Sequence, residues 1–426
     1  MQSSKLRWYE GVTWYQWTVV IVASAGWVFD AFEGQLFNVE RDQMLAELLR
    51  VGQDHPEVRK WGEYFLGVFL VGGTIGGIGF GWLADRIGRN PTMALTILFY
   101  SVFSGLTYFA TELWQVGVLR FLVAMGVGGE WAVGASLVAE VVPSHARAHL
   151  GGLFHSTSVL GVWLAAWVGL LAPNWRVAFL VGVLPALLVV AVRWWLRESP
   201  VWLAARQQRD RRSATRIFQQ LLIDDRRWRL HAVAGACFAA VGLGTFWTVT
   251  VAGQDLAKWF LLRQGISMDE ATQRAKFAYG NIQLLGTAAG MLAFGPLARR
   301  WGRKKTFIFY HLASLVVVPV TCFAPSSYGG LLLLLPLYGA FTVGIHAGYA
   351  IYFPELFPHH LRATGSGFCF NGGRLLASVT LLFSGWLKSQ PNLDPPVAIS
   401  IMSLLFLVGI ILLWFLPETR DQELPG

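Results

Sequence analysis

The sequence predicts an all-α fold, a polytopic membrane protein of twelve transmembrane helices arranged as two pseudo-repeated six-helix bundles. Three observations predict it. Of 426 residues, 54% are apolar and only 14% are charged, where soluble domains carry about a quarter of charged residues. With a mean hydropathy of +0.48, lipid must cover part of the surface. Apolar runs long enough to cross about 30 Å of hydrocarbon recur along the whole chain, and its second half repeats the first.

The runs fall at 14 to 36, 63 to 83, 91 to 110, 113 to 138, 149 to 172, 175 to 196, 231 to 252, 276 to 297, 306 to 323, 329 to 353, 364 to 388 and 396 to 416. The first follows MQSSKLRWYEGVTWYQW, which lacks the short apolar core and small-residue cleavage site of a removable signal, so the span is expected to stay in the protein. The seventh and eighth flank the polar stretch QDLAKWFLLRQGISMDEATQRAK. An even number of spans puts both termini on one side. The termini and even-to-odd loops, from Lys5 to Arg420, hold 22 of the 34 basic residues, and the opposite loops, from Arg41 to Lys388, hold 10. By the positive-inside rule both termini are expected in the cytoplasm, with the connector between the halves. Trp202, Leu203, Ile217, Phe218 and Leu221 recur there among arginines, as in amphipathic helices on the inner leaflet. The expected organisation is an N-terminal bundle at 1–196, a connector at 197–230 and a C-terminal bundle at 231–426.

GWLADRIGR at 81 to 89 recurs as GPLARRWGR at 295 to 303, and AEVVPSHARAHLGG at 139 to 152 recurs as PELFPHHLRATGSG at 354 to 367. LRESP near 198 recurs as LPETR near 418. The offset is half the chain, which describes two six-helix halves in one orientation.

These motifs resemble those of the major facilitator superfamily over essentially the whole length. GWLADRIGRN is similar to its loop between spans two and three, RFLVAMGVGGEW to its fourth-span pattern, and RESPVWL and LPETR to motifs of its sugar-porter branch. DAFE at 30 to 33, GGEW at 128 to 131 and FNGGRLLAS at 370 to 378 most resemble the proton-coupled organic-anion symporters, including the sialate/lactate and aromatic-acid groups. The glutamine pair of sugar porters is missing from the seventh span and the Gly-Pro motif of drug antiporters from the fifth.

Asp85, Arg86 and Arg89 fall at the inner end of the second span, where opposite charges can pair across the seam between halves and part when the halves rock. Glu140, Arg147 and Glu198 add partners, and Arg299, Arg303, Glu355, Arg362 and Glu418 repeat the set. The resemblance implies a cytoplasmic gate; the plainer reading is topology-setting charge at helix ends. Asp85 is matched by Arg299, so the two copies cannot be equivalent.

A charge at mid-bilayer costs at least about 3 kcal/mol unless it meets a partner or water. Five qualify: Asp30 and Glu33 on the first span, Arg120 and Glu130 on the fourth, and Arg374 on the eleventh. Asp30 and Glu33 are three apart and share a helix face, so they can hold one proton between them, as proton coupling requires. By helical rise, Arg120 lies about 9 Å below the outer end of its span and Glu130 about 15 Å deeper, too far apart to pair. The resemblance places Glu130 where related symporters carry an acid near the central cavity, which implies a proton acceptor; the plainer reading is an internal structural hydrogen bond. Arg120 matches the superfamily's fourth-span arginine, and is read either as part of proton coupling or as a packing residue bonded to backbone carbonyls. Arg374 lies about 15 Å into its span, and its planar fork suits a carboxylate better than a sugar hydroxyl. Sialate/lactate-type relatives often carry Asn there, so the departure favours the aromatic-acid or another anion branch. Asn371 is one turn away.

Asn281, Gln283 and His346 are further candidate cavity residues, although polar groups in spans also serve as interhelical glue. Trp163, Trp167 and Trp247 are candidates for an aromatic wall. Glycines at 72, 73, 76, 77 and 81 permit close helix approach, and no Gly-Lys-Ser/Thr follows them, so ATP drive is not expected. Cys237, Cys322 and Cys369 lie in apolar runs and imply neither disulfide nor metal site. The expected function is proton-coupled symport of a small organic anion, a monocarboxylate or an aromatic or sugar acid, by alternating access. The expected setting is a monomer in the inner membrane, with protons and lipid as partners and no cofactor, metal or nucleic acid. A sugar or polyol transporter is the alternative, and a transporter-like sensor or scaffold comes third. The want of a metal cluster or a spaced nucleophile and base speaks against an enzyme.

Overall fold

A computed structural model describes residues 7–53, 55–207, 214–388, 390 and 393–425. Lys5 and residues 208–213 of the connector lie outside the described residues. Helices dominate, and no strand occurs among the described residues. Among them nine helices are long and apolar enough to cross a bilayer unaided: Trp14–Leu49, Lys60–Ile87, Leu113–Val141, Ser144–Gly169, Trp175–Val192, Arg226–Arg263, Arg303–Phe323, Tyr328–Glu355 and Pro395–Phe415. The third, eighth and eleventh spans, Arg89–Thr107, 268–301 and Arg362–Lys388, are helical too but less apolar.

Several helices outrun the expected spans. The first continues to Leu49, and the polar stretch after the seventh span is helical as Ala252–Arg263 and Met268–Phe277. A helix satisfies its own backbone hydrogen bonds in water as well as in lipid, so loss of hydropathy marks the membrane surface and not the helix end.

The two bundles repeat one pattern of neighbours. In the first, span one packs on spans four and five, span two on span four, and span three on spans four and six; the second bundle repeats each pair six spans later. The bundles meet along spans two and eleven and along spans five and eight, flanked by contacts of spans five with ten and four with eleven. Glycines make the close approach possible. Gly72 and Gly76 abut the fourth-span backbone at Phe121 and Met125, whereas Gly73, Gly77 and Gly81 face Arg374, Asn371 and Ala363 of the eleventh span.

Both described termini lie at one end. There Glu10 accepts a hydrogen bond from His145 through its carbonyl oxygen at 2.8 Å, and Tyr352 donates to the Pro417 carbonyl. The connector's apolar residues divide: Trp202, Ile217 and Leu221 are buried within the protein, Phe218 is half-buried, and Leu203 is exposed. Trp202 Nε1 donates to the Asp85 carbonyl at 3.1 Å, tying the connector to the second span.

Candidate functional site

A cavity of about 260 Å³ lies between the bundles, and Asp30, Trp247, Gln283, His346 and Arg374 all line it. The Arg374 guanidinium rests over the Phe370 ring, 5.5 Å from its centre. Its Nη1 is buried with no hydrogen-bond partner among the described residues. Gly73 makes room for it, since a Cβ there would stand 2.6 Å from Nη1. Asp30, from the opposite bundle, is within electrostatic range of Arg374, Glu130 and Glu33.

The other in-span charges stand behind the cavity wall. Glu33 does not line the cavity with Asp30: Ser104 donates to its Oε2 at 2.7 Å, and its Oε1 is buried without a partner. Glu130 is likewise buried, beside the Tyr100 hydroxyl, in a recess that exists because Gly26 has no Cβ. Arg120 donates to the carbonyls of Glu33 and Gly34 at 3.2 and 3.1 Å, and lies over the rings of Phe37 and Phe69 at 4.5 and 4.0 Å. It is held to the backbone of the first span.

Two expected cavity residues are elsewhere. Asn371 donates to the carbonyls of Gly128 and Gly367 at 3.3 and 3.2 Å, because its place on the helix turns it into the seam against Gly77. Asn281 is exposed and bonds back to the Phe277 carbonyl at 3.4 Å. Gln283 reaches the cavity, with its Nε2 donating to the Thr250 carbonyl at 2.8 Å. Of the tryptophans, Trp167 is 64% exposed on the outer face, and Trp163 donates to the Gly280 carbonyl across the seam at 3.4 Å.

Trp27, His155, Thr250, Tyr279 and Phe370 also line the cavity and went unread in the sequence. His155 and Thr250 carried the same signal as His346, a polar group inside an apolar run; Trp27 and Phe370 carried none among so many aromatics. Short π-helical turns at Phe246–Thr250 and Ala278–Gln283 aim several of these groups, a device common at functional sites.

At the termini end most of the expected gate charges assemble, seven of the eleven buried. Glu140 takes Arg89 of its own bundle at 2.8 Å and Arg362 of the other at 2.8 Å, both through Oε1. The repeat is looser: Glu355 takes Arg303 at 2.7 Å, and Arg147 of the opposite bundle stands 3.8 Å away. Glu198 accepts the Arg89 and Asn90 amides at 2.9 and 3.2 Å, and Glu418 accepts those of Arg303 and Lys304 at 2.9 and 3.1 Å. These carboxylates cap the third and ninth spans, Arg89–Thr107 and Arg303–Phe323. Each sits where Gly88 and Gly302, at φ 113° and 98°, turn the chain and leave no room for a Cβ.

Asp85 pairs with Arg89 at 2.9 Å and also crosses the seam. It accepts from the amides of Ala363 and Thr364 at 3.3 and 2.8 Å and from the Thr364 hydroxyl at 2.6 Å, capping the eleventh span. Its counterpart Arg299 lies near His149 of the fifth span and has no carboxylate with which to cap that helix. Arg86 stands outside the network, exposed and over the Trp82 ring at 5.4 Å.

The profile of the sugar (and other) transporter family matches residues 9–229, and that of the major facilitator superfamily matches residues 279–426. A protein of Cupriavidus pinatubonensis named "Probable 4-methylmuconolactone transporter" is 29% identical over 97% of this chain and 93% of its own. The cis,cis-muconate transport protein of Acinetobacter baylyi is 28% identical over 83% of this chain and 85% of its own. Among solved structures, the proton:xylose symporter XylE bound to 6-bromo-6-deoxy-D-glucose superposes with a TM-score of 0.76 over 96% of this chain and 98% of that one, at 19% identity. With matching sequence profiles on both halves, twelve paired spans and a cavity between them, the chain belongs to the major facilitator superfamily and is a transporter of that type.

Proposed function

We propose that the protein is a proton-coupled symporter of a small organic anion, working by alternating access, with both termini in the cytoplasm and the cavity filled from the outer side. Arg374 carries this reading. A guanidinium at cavity depth, with a buried N–H that no group among the described residues accepts, suits a carboxylate that completes its fork. The surplus of basic residues in loops at the termini end supports the orientation. The names of the muconolactone and cis,cis-muconate relatives support an organic acid.

Asp30 gives the coupling a physical basis. Ionised, it competes with the anion for Arg374; protonated, it releases Arg374 to the ligand. The anion and the proton are then best bound together, and losing the proton to the cytoplasm favours expulsion of the anion. Glu130 stands behind Asp30 as a second proton site. The neutral-sugar reading draws on one observation, the amides of Gln35, Asn38 and Gln283 on the cavity wall.

Arg374→Ala tests the anion. Losing a charge-assisted contact should weaken carboxylate binding by about a hundredfold, with Arg374→Lys recovering part of it and binding of neutral sugars unmoved. Normal carboxylate affinity in the alanine variant, measured by calorimetry on purified protein, would contradict the reading.

A further inference from the structure

Two histidines that the gate and the coupling do not use meet at the cavity, His155 from the fifth span and His346 from the tenth. Their ring centres are 6.4 Å apart. Hydrogen bonds decide which ring atoms carry protons. Trp131 Nε1 donates to His155 Nδ1 at 3.1 Å. An indole N–H can only donate, so this Nδ1 is bare and the ring proton sits on Nε2. His346 Nε2 lies 3.1 Å from the Gly242 carbonyl oxygen. A carbonyl can only accept, so this Nε2 carries the proton and, in the neutral ring, Nδ1 is the bare atom.

The remaining atoms are therefore complementary: an N–H on His155 and a lone pair on His346. Neither atom has a hydrogen-bond partner among the described residues, and both residues line the cavity. Both rings are held in place without a ligand. Trp27 Nε1 donates to the His155 carbonyl at 3.0 Å. Trp131 stacks on Phe370, ring centres 4.0 Å apart, and Phe370 in turn lies under Arg374. Phe246 and Tyr349 flank His346 at 5.7 and 5.6 Å. An aromatic floor thus joins the guanidinium to the histidine pair, and packing fixes the direction of each polar group.

Resting on the anion reading for the other end of the ligand, we propose that His155 and His346 are specificity-determining residues that select an anion bearing a hydroxyl group. The hydroxyl oxygen accepts from His155 Nε2, and its O–H donates to His346 Nδ1. A methoxy group accepts but cannot donate, which leaves His346 unmet, and a bare ring or chain meets neither histidine.

Calorimetry on the purified full-length protein, with matched probes, tests the pair. The probes are benzoate, cyclohexanecarboxylate and hexanoate, each with its hydroxyl and methoxy derivatives, and the methyl esters of all nine. On whichever scaffold binds, the hydroxyl derivative should bind about tenfold more tightly than the plain acid, with the methoxy derivative between them. His155→Phe and His346→Phe should each bring that ratio close to one while the plain acid keeps its affinity, which also shows that the variants are folded. His155→Gln and His346→Gln, which keep a donor and an acceptor, should hold part of the preference. A ratio near one in the wild type, or one that survives both phenylalanine changes, overturns the pair. Equal binding of acids and methyl esters, unaffected by Arg374→Ala, would overturn the anion reading instead, and the ester series would still read the hydroxyl ratio.

Discussion

Asp30 and Arg374 approach one cavity from opposite bundles, and the proposed coupling lies in their competition. As pH rises, ionised Asp30 engages Arg374 and should weaken anion binding, so the affinity of the wild type should fall from pH 5 to pH 8. Asp30→Asn keeps the shape and removes the titration. Its carboxylate affinity should be flat across that range and equal to the wild-type value at the acid end; a slope like that of the wild type would place the coupling elsewhere. Charge inside a span was legible in the sequence because lipid penalises it, and that found Asp30 and Arg374. Rotation about the helix was less legible. Glu33 is only three residues from Asp30, yet Ser104 holds it outside the cavity, and Asn371 sits in a seam rather than beside the ligand space. Packing partners from other helices decide such placements, and no local pattern encodes them.

At the scale of helices, the proposed gate at the termini end joins caps and ion pairs. Glu140 bonds arginines of both bundles at 2.8 Å, whereas the equivalent bridge from Glu355 to Arg147 spans 3.8 Å. Breaking a buried pair is costly, about 3 to 5 kcal/mol when one partner is removed, and only part of that falls on the inward-closed state. Glu140→Gln should therefore open the inner seam at least about tenfold more often, and Glu355→Gln should do so less. Hydrogen exchange at the Ala363 and Thr364 amides, which Asp85 accepts, reads the opening directly; equal protection in both variants would contradict the unequal bridges. The repeat of AEVVPSHARAHLGG as PELFPHHLRATGSG marks Glu140, Arg147, Glu355 and Arg362, and the Asp85-to-Arg299 exchange makes the two copies unequal in charge. Helix ends and the π-helical turns at Phe246–Thr250 and Ala278–Gln283 were not legible. Hydropathy follows the lipid boundary, and a single π turn inside an apolar run is too short to set a pattern of its own.

For the whole molecule, the offset of half a chain and the apolar runs sufficed for two bundles, and the paired neighbours of the spans repeat accordingly. Ion pairs across the seam at the termini end and a cavity beyond them fit one side of the proposed alternating cycle. The proposed direction and coupling turn this geometry into work: an inward proton gradient should concentrate the anion. Uptake of a radiolabelled carboxylate that the purified protein binds, into proteoliposomes with an imposed pH gradient, acid outside, is the most direct test. The account predicts transient accumulation above the external concentration, abolished by a protonophore and by Asp30→Asn. Uptake that only equilibrates, indifferent to the gradient, would contradict it.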